Sequence, residues 1–133
     1  MRSAFLALAI MAVPALALHG QSTQAGEVSL PREAVRAAMG YLGVPYVHGG
    51  ATTHGLDCSG LVYRVLQDTE GIAAPRGVDA LFHAGSSVTY PIHIGDLVFF
   101  DTESLAHPII PSHVGIYAGN GRFIHAASEG SRT

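Results

Sequence analysis

The hydrophobic period changes once along this chain, and that change limits the folds open to it. Between Pro31 and Phe82 apolar residues recur at helical spacing, whereas from Asp96 to Ala127 they alternate as in strands. Ala34, Val35, Ala38, Met39 and Leu42 define a first helix with Pro31 in its opening turn, stopped by Gly43 and Pro45. Leu61, Val62, Val65 and Leu66 make one stripe of a second helix that begins at or just after Cys58, with Arg64, Gln67 and Asp68 facing away. Val78, Leu81 and Phe82 predict a third, short helix. The segments "DLVFFD" (96–101), "HVGIYA" (113–118) and "RFIHAA" (122–127) read as strands, and the glycine-rich "PYVHGGATTHGLD" reads as a loop. Helices first and an antiparallel sheet after them predict an α+β domain.

A chain of 133 residues has room for one such domain. Its first 17 residues have the layout of a secretory signal peptide: Arg2, an uncharged apolar run from Ala4, and Ala15-Leu16-Ala17 as a small-x-small cleavage site. The run is shorter than the roughly 20 apolar residues of a bilayer span and is broken by Pro14. Residues 18–28 read as a flexible lead-in, and 29–133 as the domain. The expected product is therefore exported, with no integral membrane span once the signal is removed. Removal leaves six basic residues against ten acidic ones and no lysine, which argues against binding nucleic acid or anionic lipid through charge.

Export implies an oxidising compartment, where cysteines usually pair, yet Cys58 is the only one in the chain. Such a cysteine is either a buried small hydrophobe or a nucleophile. Its place at a helix start favours the second. Unpaired N–H groups and the positive dipole end stabilise an anion there, and a thiol so placed can have its pKa lowered into the range of about 3.5–7.5. Asp57 is a natural cap for the same helix.

An activated thiol needs a base, and the hairpin turn decides whether His113 and His125 can cooperate. A two-residue Asn120-Gly121 turn pairs Gly119 with Arg122 and sends the histidines to opposite faces. A three-residue loop, Gly119-Asn120-Gly121, pairs Ala118 with Arg122, Ile116 with Ile124 and Gly115 with His125. The histidines then become diagonal neighbours roughly 7–8 Å apart between backbones. The same register gathers Val114, Ile116 and Ile124 on the other face as core. Gly121 supplies the left-handed residue that such a loop needs, so the three-residue loop is expected. Cys58, His113 and His125 then form a nucleophile, a base and an orienting group.

Four segments in order, "PYVHGG", "DCSGLV", "GDLVFF" and "HVGIYAGNGRFIHA", resemble the NlpC-type cysteine peptidases of bacterial cell walls, over residues 31 to 128. The resemblance implies a papain-like α+β fold and hydrolysis of peptidoglycan stem peptides, typically between γ-linked D-glutamate and a diamino acid. It implies no cofactor and no metal, with the stem peptide as partner, and a monomer in the periplasm or cell-wall space of a bacterium is expected. By position, Cys58 matches the family nucleophile, His113 the general base and His125 the orienting residue. Tyr46 matches a tyrosine that helps hold the oxyanion, although a loop aromatic packed on the core explains it equally. Asp57 and Ser59 match substrate contacts, and helix capping also accounts for them. Arg76 matches a recurrent site-facing arginine. Family domains usually continue by another strand or so past the third residue, so the last strand of the expected sheet is missing here.

Two other classes compete. Eight histidines and a thiolate raise the possibility of a periplasmic zinc protein. No C-x-x-C or H-E-x-x-H spacing supports it, and His48, His54, His83, His93 and His107 read as polar surface residues. A wall-binding module without turnover is the other alternative, against which the intact Cys58, His113 and His125 argue.

Overall fold

Among the described residues, seven strands and three helices follow the period change read from the sequence. The computed structural model describes residues 6–9, 30–102, 111–128 and 133. Strand β1 is Leu6–Ala9, and helix α1 is Leu30–Met39 with Pro31 in its first turn. The glycine-rich loop contains a two-residue hairpin, β2 (Ala51–Thr52) with β3 (Gly55–Leu56), which the loop reading did not resolve. Helix α2 is Cys58–Glu70 and helix α3 is Val78–Ala84. Strands β4 (Ser86–Val88), β5 (Leu97–Phe100), β6 (His113–Gly119) and β7 (Arg122–Ile124) complete the set. The five-stranded sheet is antiparallel at every pairing, in the order β4-β1-β5-β6-β7.

The core lies between the helices and one face of this sheet. Ala34, Ala38 and Tyr41 meet Leu61, Val62 and Val65 of α2, and both sets close over Leu97, Phe99, Val114 and Ile116. Helix α1 ends at Met39, sooner than the apolar spacing predicts. Met39 and Leu42 are exposed and Tyr41 takes the buried place expected of Leu42. The turn after Met39 rotates the following residues off the helical stripe, so the Leu42 side chain leaves the core. Helix α2 is stopped by Gly71, which adopts φ 66° and returns its N–H to the Gln67 carbonyl, while the Ile72 N–H returns to that of Leu66, a left-handed C-cap.

The β6–β7 hairpin corrects the expected turn. Gly119 pairs with Arg122, so the turn itself is the two-residue Asn120-Gly121, with φ 53° and 69°. Both residues being left-handed matches the twist of the flanking strands, which is why Asn-Gly favours this geometry. The extra residue sits at an irregularity between Tyr117 and Gly119. Beyond it, Tyr117 pairs with Phe123 and Ile116 with Ile124, the pairing expected at Ile116. The bulge thus places the histidines on one face, where the loop was expected to do so.

Strand β1 falls inside the segment read as a signal peptide, and it pairs with both β4 and β5. Strand β4 was not anticipated by the sequence reading; its residues Ser86 and Ser87 are exposed and carry no alternating pattern.

Candidate functional site

The site begins at the first residue of α2. Asp57 adopts extended backbone angles (φ −96°, ψ 179°), and its Oδ1 accepts from the Gly60 N–H at 2.6 Å and from the Ser59 hydroxyl at 3.1 Å. Its Oδ2 accepts from the Gly49 N–H at 2.9 Å. One carboxylate therefore caps the helix and ties it to the glycine loop, as the Asx residues favoured at this position do. Arg76 completes the tie. Its Nη2 donates to the Gly49 carbonyl at 3.0 Å and lies 3.5 Å from Asp57 Oδ1, while its guanidinium covers the Tyr63 ring at 5.8 Å. The buried Ser59 hydroxyl also accepts from the Gly77 N–H at 3.3 Å, which draws the segment before α3 against the cap.

Gly60 allows this close approach. A Cβ there would lie 1.9 Å from the Gly50 carbonyl oxygen, so the first turn of α2 sits directly on the loop backbone. Asp57 N–H donates to that same carbonyl at 3.0 Å. Tyr46, on the same loop, bridges to Leu56 through its backbone and packs half-buried against the core.

Cys58 is half-buried at the edge of the core, within hydrogen-bond reach of the Val114 N–H at the start of β6. Val114 directly follows His113, so the thiol and the first histidine share one corner of the fold. Burial pushes the thiol above its ordinary value. The N–H groups of Val114, Ser59 and Cys58 itself pull the other way, and Asp57 adds to the rise. This reverses the expectation of a lowered thiol pKa at the helix start: desolvation of the anion outweighs the amide dipoles.

His113 Nε2 and His125 Nδ1 are 2.7 Å apart, and the two rings meet edge to face with centroids at 5.0 Å. Burial, and then the neighbouring His125, hold His113 down at about 4, and burial also lowers His125. Around neutral pH these shifts favour the neutral forms of the thiol and of both imidazoles, and the Val114 contact of Cys58 lies one residue from His113. With Nε2 of His113 engaged by His125, its Nδ1 is the nitrogen left for another partner. Such an arrangement can take a proton from a thiol as the sulfur attacks, and return it to a leaving group.

The structure brings His113 and His125 together and sets Asp57 and Ser59 at the start of α2; Arg76, read from the sequence only as a site-facing arginine, joins them there through Gly49 and Asp57. The sequence reading missed Gly60, Gly115 and the rings of Phe100 and Phe123. Gly115 carried a signal, since a glycine inside a strand pattern marks a close approach. His48, His54, His83 and His93 are exposed, and His107 lies outside the described residues. Among the described residues no group of three or more His, Cys, Asp or Glu side chains converges as metal ligands would. No helix among them is long and apolar enough to cross a membrane.

Comparison with known proteins identifies the family of the chain. The chain is 46% identical over 95 residues to the gamma-DL-glutamyl hydrolase of Bacillus subtilis (strain 168), covering 70% of this chain and 22% of that protein. It is 37% identical over 101 residues to the murein DD-endopeptidase MepH of Escherichia coli (strain K12), covering 73% of this chain and 36% of the relative. The chain thus spans only a minor part of the length of these curated relatives. Among solved structures, the NlpC/p60 domain of the peptidoglycan hydrolase SagA superposes with a TM-score of 0.68 at 31% identity, covering 77% of this chain and 84% of that one. NlpC2 from Trichomonas vaginalis gives a TM-score of 0.69 at 31% identity, over 80% of this chain and 41% of that one. Residues 43–133, which include the α2 start and both histidines, match the profile of the NlpC/P60 family. The chain belongs to the NlpC/P60 family, whose peptidoglycan endopeptidases are cysteine-type hydrolases.

Proposed function

We propose that this protein is an exported endopeptidase that hydrolyses peptide bonds in peptidoglycan stem peptides through Cys58, His113 and His125. The observation that carries the proposal is the 2.7 Å contact between the two imidazoles beside a thiol at a helix start. Cys58 Sγ attacks the scissile carbonyl while His113 Nδ1 takes the thiol proton. His113 Nε2–H donates to His125 Nδ1, which fixes the tautomer that leaves Nδ1 free. The tetrahedral oxyanion is held by N–H donors at the α2 start, Cys58 N–H among them, with the Tyr46 hydroxyl as a further donor. His113 then protonates the leaving amine, and a thioester remains on Cys58. Water deprotonated by His113 attacks that thioester, and the released thiol recovers its proton.

The bond proposed is that between γ-linked D-glutamate and a diamino acid. The gamma-DL-glutamyl hydrolase among the relatives supports it, whereas the DD-endopeptidase names a different linkage. Asp57, Ser59 and Arg76 hold the first turn of α2 against the glycine loop and offer polar groups to the stem peptide there. The decisive experiment digests defined stem peptides with the wild type and C58A and identifies products by mass spectrometry. Cleavage on the carbonyl side of γ-D-glutamate by the wild type alone is expected. Products cut elsewhere would replace the bond assignment, and intact peptides with a folded wild type would remove the enzyme reading.

Export rests on the composition of residues 1–17. Cleavage after Ala17 would take β1 out of the sheet along with the leader, leaving β4 and β5 without their shared neighbour. N-terminal sequencing of protein recovered from outside the cytoplasm reads the cleavage point directly.

The pH profile follows from the two neutral groups. His113 must be unprotonated to accept the thiol proton and His125 unprotonated to accept from His113, so kcat/KM is expected to fall on the acid side of the ordinary imidazole range, the His113 step being lost as pH drops through about 4. Because the thiol is raised and both imidazoles are lowered, the rate is expected to stay level from about pH 6.5 to about pH 8, with no loss as an imidazolium deprotonates. A bell with its alkaline limb inside that interval would mean that a thiolate–imidazolium pair is the active form instead.

A further inference from the structure

The face of β5, β6 and β7 opposite the core carries four rings in a closed circuit. Phe100 stands opposite His113 in the register, with ring centroids 6.3 Å apart, and Phe100 meets Phe123 at 4.9 Å. Phe123 meets His125 at 4.8 Å, and His125 meets His113 at 5.0 Å. Gly115 makes the circuit possible: a Cβ there would stand 2.6 Å from Cδ2 of Phe123 and 3.4 Å from Cβ of His125. The Phe123 ring thus lies over the backbone of β6 in the space a side chain would fill.

Core packing does not explain this ring. The buried cluster is formed by Leu97, Phe99, Val114 and Ile116 on the other face, and Phe123 is not among its members. Phe123 is 37% exposed, so a large apolar ring is held at the surface, where it meets the rings of Phe100 and His125. Aromatic pairs at such separations favour defined orientations, and a neutral imidazole is a suitable partner. On one side Phe123 packs against His125, and through Phe100 it supports His113 on the other.

We propose that Phe123 is a positioning residue that holds the His125 ring against His113 and keeps water from their shared hydrogen bond. The inference rests on His113 acting as the base, but the two are separable, because imidazole titration by NMR needs no turnover. The titratable groups the geometry brings toward the pair are Cys58, whose Val114 contact adjoins His113, and Tyr117, which shares with His113 the face of β6 that carries Phe123. None of them changes in the test.

The experiment compares F123A and F123Y with the wild type by NMR titration of the His113 and His125 rings and by steady-state kinetics on a stem peptide. In F123A the His113 titration is expected to move up from about 4 toward 6.5 as water reaches the ring. Loss of alignment is expected to lower kcat roughly tenfold to a hundredfold with little change in KM. F123Y restores both. If F123A does not fold, F123V reads the same two quantities. Unchanged imidazole titration in a folded variant, whatever its melting temperature, would reduce Phe123 to a structural surface ring. A wild type that shows the expected titration but no hydrolysis would overturn the proposed function and leave the positioning role standing.

Discussion

C58A and H113A are each expected to lower the rate of stem-peptide hydrolysis by about 10⁴-fold or more, and the double variant is expected to be no slower than either alone. The non-additivity is the informative part. A thiol held neutral by burial does not attack without a base, and the base has no role without the thiol, so removing either removes the same step. His125 differs. It bears no charge at neutral pH and lowers His113 further, so it orients the base without stabilising an imidazolium as a carboxylate would. H125A is therefore expected to retain more activity than H113A, by roughly tenfold to a hundredfold. Single-turnover kinetics on the four variants measures this. Equal losses in H113A and H125A would assign His125 a direct role in proton transfer, and additive losses in the double variant would separate Cys58 from His113.

The second large effect concerns stability. G60A places a methyl group where the Gly50 carbonyl oxygen already lies, at 1.9 Å, with the Arg76 Nη1 at 2.9 Å and Asp57 Oδ1 at 3.0 Å. Backbone stands in the way, so the strain cannot be relieved by turning a flexible side chain. Either the first turn of α2 or the glycine loop must move, and the cap at Asp57 holds both. Overpacking of this kind costs about 3 kcal/mol and lowers the melting temperature of a domain of this size by roughly 10 °C or more. Thermal denaturation of G60A beside the wild type measures it. Activity in the fraction that remains folded should fall as well, since the displaced turn carries the Cys58 N–H. A melting temperature within a degree or two of the wild type would show that the loop yields easily and that the contact with Gly50 is not a fixed part of the site.

Several elements could be read from the sequence because their cause is local. Pro31 and the stripe of Ala34 and Ala38 set α1, and Asp57 with the apolar residues Leu61, Val62 and Val65 set α2. The alternation of β5 and β6 gave the strands and the face that is buried. What failed depended on neighbours far along the chain. Met39 and Leu42 fit the helical stripe, but the helix ends before the second of them reaches the core. The pairing of β1 between β4 and β5 joins residues some eighty to ninety positions apart, and no local pattern announces it.

The site divides in the same way. The sequence by itself determined which residues carry the chemistry: a single cysteine behind a helix-capping aspartate, and two histidines whose strands join through Asn120-Gly121. It also pointed to a shared face, because period-two alternation sets both histidines opposite the core whenever Val114, Ile116 and Ile124 pack on it together. Only the tertiary structure decided how that face is reached, through a bulge after Tyr117 in place of a longer loop, since a bulge depends on how two strands twist against each other. The protonation of the site was decided there too. Helix position alone lowers a thiol pKa, but burial between α2 and β6 raises it by more, and desolvation is a property of the packed neighbours that no stretch of sequence contains.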